Sequence, residues 1–234
     1  MHCESLENRR LFAVTVAQAY TGYFEIHGDA SNDVIDVKVR QETGSFKIDG
    51  TEYTGVLYIY VHAGGGDDFI SVVSQDGAGM IGASISAGDG SDTIILNFDG
   101  SIWAGEQDDV VYIADAFLGE VYGEGGSDDI TVAGACIDPE IRGGDGNDRI
   151  DGSANQYGVA LRGDNGDDTL IGSGYDDVLD GGAGVDVMFG GFGNDVFSAD
   201  GDGEPDEIFG DEGDDLLYAD AGDEATDVEY VLYD

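Results

Sequence analysis

The sequence predicts an all-β fold, a right-handed parallel β-solenoid of short stacked strands. Three observations predict it: a nine-residue repeat, glycine at 40 of 234 positions, and the alternation of apolar and polar residues that is typical of half-buried strands. Residues 181–198, GGAGVDVMFGGFGNDVFS, contain the repeat twice, with glycine at places one, two and four and aspartate at place six. No helical period of useful length accompanies the repeat, so we expect strands joined by tight glycine turns.

The place-six aspartate marks the repeat along the chain, and a bulky apolar residue follows it two positions later. In the second half the steps between these aspartates are 20, 9, 9, 9, 11 and 9 residues, and the step of 11 contains two extra residues, Ala199 and Asp200. Fainter copies occur earlier, at steps close to twice nine. One strand of this length cannot bury a face alone, so neighbouring copies must stack.

The steps predict a coil of about 18 to 20 residues that contains two strands and two turns. Every second copy then lies on the same edge of the solenoid. The first edge is expected to carry Asp68, Asp92, Asp109, Asp128, Asp148, Asp168, Asp186 and Asp206. The second edge is expected to carry Asp177, Asp195 and Asp215. An ordinary β-sandwich with glycine-rich hairpins is the alternative, but it explains neither the constant nine nor the aligned aspartates.

The charge of the chain is strongly one-sided. Lysine and arginine number 8 against 51 aspartates and glutamates, which gives a formal net charge of −43. Nucleic acid is excluded as a partner, because phosphate binding needs a basic patch, and an anionic membrane surface is disfavoured for the same reason. No apolar run approaches the roughly 18 residues that a transmembrane segment needs. A halophilic surface is the alternative origin of the charge, but it predicts scattered acids rather than evenly spaced ones.

Carboxylates stacked in successive turns repel one another, so the pattern indicates a cation between them. The turns offer carboxylate and carbonyl oxygens, without histidine or cysteine at coordinating positions. Such all-oxygen sites favour Ca²⁺, which accepts six to eight ligands in irregular geometry. Mg²⁺ requires stricter octahedral geometry, and Zn²⁺ prefers nitrogen or sulfur ligands.

Residues 143–151, 181–189 and 190–198 resemble the haemolysin-type, or RTX, calcium-binding nonapeptide G-G-x-G-x-D-x-U-x, where U is a bulky apolar residue. Residues 163–171, 172–180 and 210–218 are near matches. The resemblance implies a parallel β-roll that holds Ca²⁺ between turns on each edge, with place-six aspartates and loop carbonyls as ligands. Besides the place-six aspartates other than Asp109, it suggests as ligands Gly143, Asp145, Gly163, Asn165, Asp167, Gly172, Gly174, Asp176, Gly181, Ala183, Gly190, Phe192, Asn194, Gly210, Glu212 and Asp214.

The two ends of the chain differ from the repeats. CESLENRRLFA, residues 3–13, resembles the LEPR-XLL segment at the start of large exported bacterial surface proteins, although it also fits a short basic end before a first strand, FAVTV. We therefore expect a flexible export-like segment at 1–12, an N-terminal β cap with the first coils at 13–62, repeats at 63–218 and a C-terminal cap at 219–234.

These features predict a secreted or cell-surface bacterial protein that binds several Ca²⁺ ions and folds with them. Its further partners would be cell-surface or matrix polysaccharide or protein. The alternatives are an adhesin and a calcium-dependent, lyase-like carbohydrate-active enzyme, for which Arg142 and Arg162, 20 residues apart, are the candidates. No catalytic motif supports an enzyme, so we predict none. Trp103 and the tyrosines could present a sugar-binding platform, although packing explains them more simply.

Overall fold

The computed structural model describes residues 14–77, 81–115, 119–137, 139–199 and 201–233. Within these ranges the chain forms strands and turns, and no helix there is long and apolar enough to cross a membrane. The predicted export-like segment, residues 1–12, lies outside the described residues.

The strands follow one another along the chain with short turns between them. The first twelve are β1 Thr15–Tyr20, β2 Tyr23–His27, β3 Val34–Arg40, β4 Ser45–Ile48, β5 Thr51–Thr54, β6 Tyr58–Gly65, β7 Phe69–Ser74, β8 Gly82–Asp89, β9 Thr93–Leu96, β10 Gly100–Glu106, β11 Val110–Ile113 and β12 Glu120–Gly125. The second twelve are β13 Asp129–Gly134, β14 Glu140–Asp145, β15 Arg149–Asn155, β16 Ala160–Asn165, β17 Thr169–Ile171, β18 Val178–Ala183, β19 Val187–Phe192, β20 Val196–Ala199, β21 Glu207–Glu212, β22 Leu216–Ala219, β23 Glu224–Thr226 and β24 Tyr230–Tyr233.

These strands form two sheets, and from β6 onward the chain alternates between them. The first sheet has the order β1-β2-β6-β8-β10-β12-β14-β16-β18-β20-β22-β24, and the second has the order β23-β21-β19-β17-β15-β13-β11-β9-β7-β3-β4-β5. Each coil contributes one strand to each sheet, and the parallel stack makes a solenoid of about 8 turns. The predicted all-β parallel solenoid is therefore confirmed.

The register shows why the repeat length matters. Ile85 pairs with Ile102, Val121 with Ile141 and Leu161 with Leu179, so identical places stack directly on one another. The residue two positions after each place-six aspartate from Asp33 to Asp215 points into the coil. These side chains and apolar residues of the facing strands, such as Ile85 and Val121, form two facing ladders that fill the interior. Met188 and Phe197 belong to them and are fully buried. Burial of each such side chain contributes about 1.5–3 kcal/mol.

The N-terminal end of this core is closed by antiparallel strands. β1 pairs with β2 at the edge of the first sheet, and β4 and β5 fold back on β3 at the edge of the second. Phe24, Phe46 and Tyr53 pack against one another over the first coil, with ring centroids 4.8 to 5.7 Å apart. Such caps stop further strands from adding to the sheet edges.

Candidate metal centre

Each turn on the first edge follows a fixed backbone course, shown well by residues 143–148, in which Gly143 is place one and Asp148 is place six. Places two and four have positive φ, 119° at Gly144 and 135° at Gly146. Glycine adopts this region without steric cost, and this explains its recurrence there. Some turns place a larger residue in it, such as Glu124 at 76° and Asp164 at 74°.

The place-six aspartates of the first edge form one continuous ladder. The backbone N–H of each donates to Oδ1 of the aspartate in the next coil, with N···O distances of 2.6 to 3.1 Å. The members in order are Asp33, Asp68, Asp92, Asp109, Asp128, Asp148, Asp168, Asp186, Asp206 and Asp223. The structure therefore brings together all eight aspartates predicted for this edge.

Sequence reasoning missed the two ends of this ladder. Asp33 had a usable signal, because GDASNDVI begins with Gly28 and places Ile35 two residues after the aspartate. Asp223 had little signal, since the corresponding core position is Ala225 and not a bulky residue.

A second ladder runs along the opposite edge at the C-terminal end. The N–H groups of Val159, Asp177 and Asp195 donate to Oδ1 of the acid one coil further on, at 2.7 to 2.8 Å. Asp215 continues it by donating to Oε2 of Glu229 at 2.9 Å. The three aspartates predicted for this edge lie together here. Glu229 was missed because a glutamate stands where the repeat has aspartate.

The second oxygen of these carboxylates gives the site its chemistry. Place-six aspartates in both ladders are at most 3% exposed, apart from Asp223 at the far end of the first. In the described part of the chain, one buried carboxylate oxygen has no hydrogen-bond partner in each of Asp33, Asp68, Asp92, Asp109, Asp128, Asp148, Asp168, Asp186, Asp195 and Asp215. A buried charged oxygen without a partner is costly, so each requires a proton or a cation.

Burial, together with the charge of neighbouring carboxylates, raises the pKa of nine ladder aspartates well above its ordinary value, although backbone hydrogen bonds oppose the rise. The pKa reaches about 8 for Asp109 and Asp168, about 7 for Asp128, Asp195 and Asp206, and about 6 for Asp68, Asp92, Asp148 and Asp186. Burial also raises the pKa of Asp177 and Asp215. The turns therefore resist negative charge that no cation compensates.

Backbone oxygens complete the donor set. Place-three carbonyls accept a hydrogen bond from place four of the preceding coil, as in Gly146 N–H to Asn165 O at 2.7 Å. Among backbone hydrogen bonds of the described turns outside the strands, none ends on the carbonyl of Gly126, Gly146 or Gly166. No three carboxylate, imidazole or thiol side chains converge in the described residues. A cation here would take mainly carbonyl oxygens with one or two carboxylates, a hard-oxygen set that suits Ca²⁺.

The remaining ligand candidates occupy three kinds of position. Place-one glycines are buried beside the place-six carboxylate, and they include Gly143, Gly163, Gly172, Gly181, Gly190 and Gly210. Candidates at places three and five are exposed, and they are Asp145, Asn165, Gly174, Ala183, Phe192, Glu212, Asp167, Asp176, Asn194 and Asp214. Place-five side chains bridge coils outside the turn, as when Val185 N–H donates to Oδ1 of Asp167 at 3.0 Å. Only the carbonyls of these exposed residues could face a cation inside the turn.

The arginines of the enzyme alternative lie next to each other in register on the outer face of the first sheet. Arg142 pairs with Glu140 at 3.2 Å and with Asp164 at 3.5 Å, and Arg162 pairs with Asp180 at 2.6 Å. Both guanidinium groups are therefore engaged in ion pairs.

The exposed aromatic residues also meet across coils. Trp103 and Tyr122 stack on each other with centroids 5.9 Å apart and planes 12° apart, so each covers one face of the other. His27 and His62, far apart in sequence, stack at 5.2 Å. The stack covers one face of each ring, and both side chains are half-buried, which weakens the platform interpretation.

Comparison with protein families supports the assignment of the ion. A model of the RTX calcium-binding nonapeptide repeat (4 copies) matches residues 140–156, 162–197 and 199–224. Searches of curated proteins and of solved structures return no match. The C-terminal part of the solenoid, residues 140–224, therefore carries haemolysin-type repeats, and the ion that these repeats bind is calcium.

Proposed function

We propose that this chain is an extracellular or cell-surface calcium-binding β-roll whose folding is coupled to Ca²⁺ binding, and that it acts as a structural or surface-interaction module. The ladder of buried carboxylates with an unpaired oxygen supports the proposal most directly. The proposed ligands are place-six carboxylate oxygens and turn carbonyls from adjacent coils. Surface polysaccharide or protein is the proposed further partner.

The coupling follows from charge. At a net charge of −43 the compact chain repels itself, and the stacked turns concentrate this repulsion. Ca²⁺ that binds only the folded turns stabilises them by mass action, and several sites add their effects. Sites with Kd of about 10⁻⁴ to 10⁻³ M are typical of extracellular modules, where calcium is abundant.

The LEPR-XLL-like start and the secreted habit that is typical of proteins with these repeats support the location. The ion pairs of Arg142 and Arg162 give no reason to prefer catalysis.

A calcium titration of chelated protein tests the proposal. We expect a large gain of β circular dichroism at millimolar Ca²⁺, with binding heat in calorimetry. A chelated protein that is already folded and does not respond to Ca²⁺ would overturn it.

Two neighbouring aspartates provide a matched pair of variants. Asp128 is 2% exposed and has an unpaired oxygen, whereas the side chain of Asp129 is 59% exposed and lies 4.0 Å from Arg149. Asp128→Asn should weaken calcium binding, while Asp129→Asn, with the same change of charge, should not. Equal effects of the two variants would show that calcium binding depends only on the net charge of the chain.

A further inference from the structure

Place one of the first-edge turns points into the coil, beside the place-six carboxylate, except at Gly201, which is exposed. In the later coils it is glycine, at Gly123, Gly143, Gly163 and Gly181, and all four are buried; the first turn, residues 28–33, also begins with a glycine, Gly28. In three earlier coils it is alanine, at Ala63, Ala87 and Ala104, and all three are fully buried. The two kinds of turn therefore differ by a methyl group at one interior position.

The space beside the glycines is bordered by oxygen atoms. A Cβ atom on Gly143 would overlap Oδ2 of Asp148, and one on Gly163 would overlap both Oδ2 of Asp168 and the carbonyl oxygen of Gly181 in the next coil. The same overlap with its own aspartate holds for Gly123 and Gly181. At Gly123 and Gly163, one oxygen of the turn's own aspartate and one carbonyl oxygen of the next coil thus lie where a methyl group would stand, so only glycine allows both oxygens to approach.

The backbone follows the same course in both kinds of turn. At place two, φ is 111° at Gly64, 115° at Gly88 and 122° at Gly105, compared with 119° at Gly144. The aspartate ladder also continues through both kinds with the same hydrogen bonds. Glu124 and Asp164, at place two of two glycine turns, keep a positive φ of 76° and 74°, so the methyl group at place one is the consistent difference between the two kinds of turn. A methyl group offers no lone pair, and it keeps the aspartate oxygen and the next coil's carbonyl oxygen out of the position that they share beside glycine.

We infer that place one decides which first-edge turns hold calcium: glycine turns 28–33, 123–128, 143–148, 163–168 and 181–186 bind it, whereas alanine turns 63–68, 87–92 and 104–109 are closed by their methyl groups. The inference rests on the proposed function and refines it, because the sequence pattern had predicted Asp68 and Asp92 as calcium ligands as well. Calcium then belongs to the glycine turns, most of them in the later coils, and the alanine coils, residues 63–115, form a calcium-independent segment.

Ion counting on the full chain tests this. Calorimetry and equilibrium dialysis with Ca²⁺ first give the number of ions per wild-type chain. The triple variant Ala63→Gly, Ala87→Gly, Ala104→Gly should bind more ions than wild type, and Gly143→Ala should bind fewer. Unchanged counts in the triple variant would overturn the inference, whether or not Gly143→Ala folds.

Two alanine variants within one turn distinguish the effect of a methyl group at place one from a general stiffening of the backbone. Gly123 is place one, and a Cβ there would overlap Asp128. Gly125 is place three, and a Cβ there would lie 3.4 Å from Oε2 of Glu106, an ordinary contact. Gly123→Ala should lose calcium and Gly125→Ala should retain the wild-type count; an equal loss would contradict the inference. Wild-type protein that binds no Ca²⁺ would instead contradict the proposed function itself.

Discussion

The early coils, residues 63–115, and the later coils, residues 123–224, stack with the same register. They differ in how the polar groups of their turns are paired. On the second edge, the coils before Asp177 use neutral amides: Oδ1 of Asn97 accepts from Ser74 N–H at 2.6 Å, and its Nδ2 donates back to Ser74 O at 3.4 Å. Asn155 joins Cys136 in the same way, at 3.0 and 2.9 Å. Later, Asp195 and Asp215 occupy this edge, each with an unpaired buried oxygen.

This difference shows what calcium adds to a solenoid. An asparagine side chain both donates and accepts, so it can join two coils with every polar atom paired. An ionised carboxylate only accepts, and the oxygen that remains unpaired needs a cation. Amide turns therefore suit coils that fold without calcium, the unpaired aspartate oxygens of the alanine turns require a proton, and the glycine turns suit coils that fold with calcium.

Removal of calcium should separate the two regions, and this is the largest effect we expect. In chelator, amides of residues 123–224 should lose hydrogen-exchange protection, while those of β6, β7, β8 and β9 keep it. The early strands retain their apolar interior and the cap formed by Phe24, Phe46 and Tyr53. Hydrogen exchange with mass spectrometry measures this by segment. Uniform loss along the chain would show that the early coils also depend on calcium.

The stability of the chelated protein should rise as the pH falls, which is the next largest effect. The folded-state pKa values are raised above the ordinary value near 4, so the folded chain binds more protons than the unfolded chain across this range. Stability is therefore complete below about pH 4 as far as these groups are concerned, and declines as pH rises toward 8. Melting temperatures at pH 5 to 8 in chelator test the sign.

Asp109 provides the control for that pH dependence. Its pKa is raised to about 8, chiefly by burial, and its turn carries alanine at place one. Asp109→Asn should flatten the upper part of the profile, between pH 7 and 8, with or without calcium. A profile unchanged by this variant would assign the pH dependence to overall charge repulsion.

The fold was predictable from this sequence because one period determines strand, turn and register together. Both edges were predictable for the same reason, since the place-six aspartates keep the spacing. The alanine turns were not distinguished, because the copies were aligned on the place-six aspartate and the apolar residue after it, and the departure from glycine at Ala63 shows its effect only inside the coil. Asn97 and Glu229 were also missed, because their roles depend on partners in neighbouring coils and not on the nonapeptide.

Neutralising a single place-six aspartate should have a smaller effect on the unfolding free energy. The sign of this effect should differ between the calcium-loaded and the chelated protein. With calcium, Asp168→Asn should cost about 3–5 kcal/mol of unfolding free energy, since it removes the charged partner of a buried cation. In chelator it should be neutral or stabilising, because the uncompensated buried charge is gone. Asp92→Asn, in an alanine turn of the same ladder, should change calcium-loaded stability by at most about 1 kcal/mol. Urea titrations with and without calcium measure both; equal losses would remove the distinction between the turns.

The surface ion pairs should contribute least, and they still distinguish contacts between coils from contacts within one strand. Arg162 in β16 reaches Asp180 in β18 at 2.6 Å and so joins two later coils, whereas Lys38 and Asp36 lie on the same strand, β3, also at 2.6 Å. Both pairs are partly exposed, so screening by water limits each to about 1 kcal/mol or less. Arg162→Ala should lower the calcium-loaded stability by a few tenths of a kcal/mol, with part of the loss disappearing in 1 M salt, because it weakens the stacking of coils that calcium also joins. Lys38→Ala should have no measurable effect, since its pair is local to one strand. A loss for Arg162→Ala well above 1 kcal/mol, insensitive to salt, would mean that this guanidinium supports the fold through packing and not through its charge.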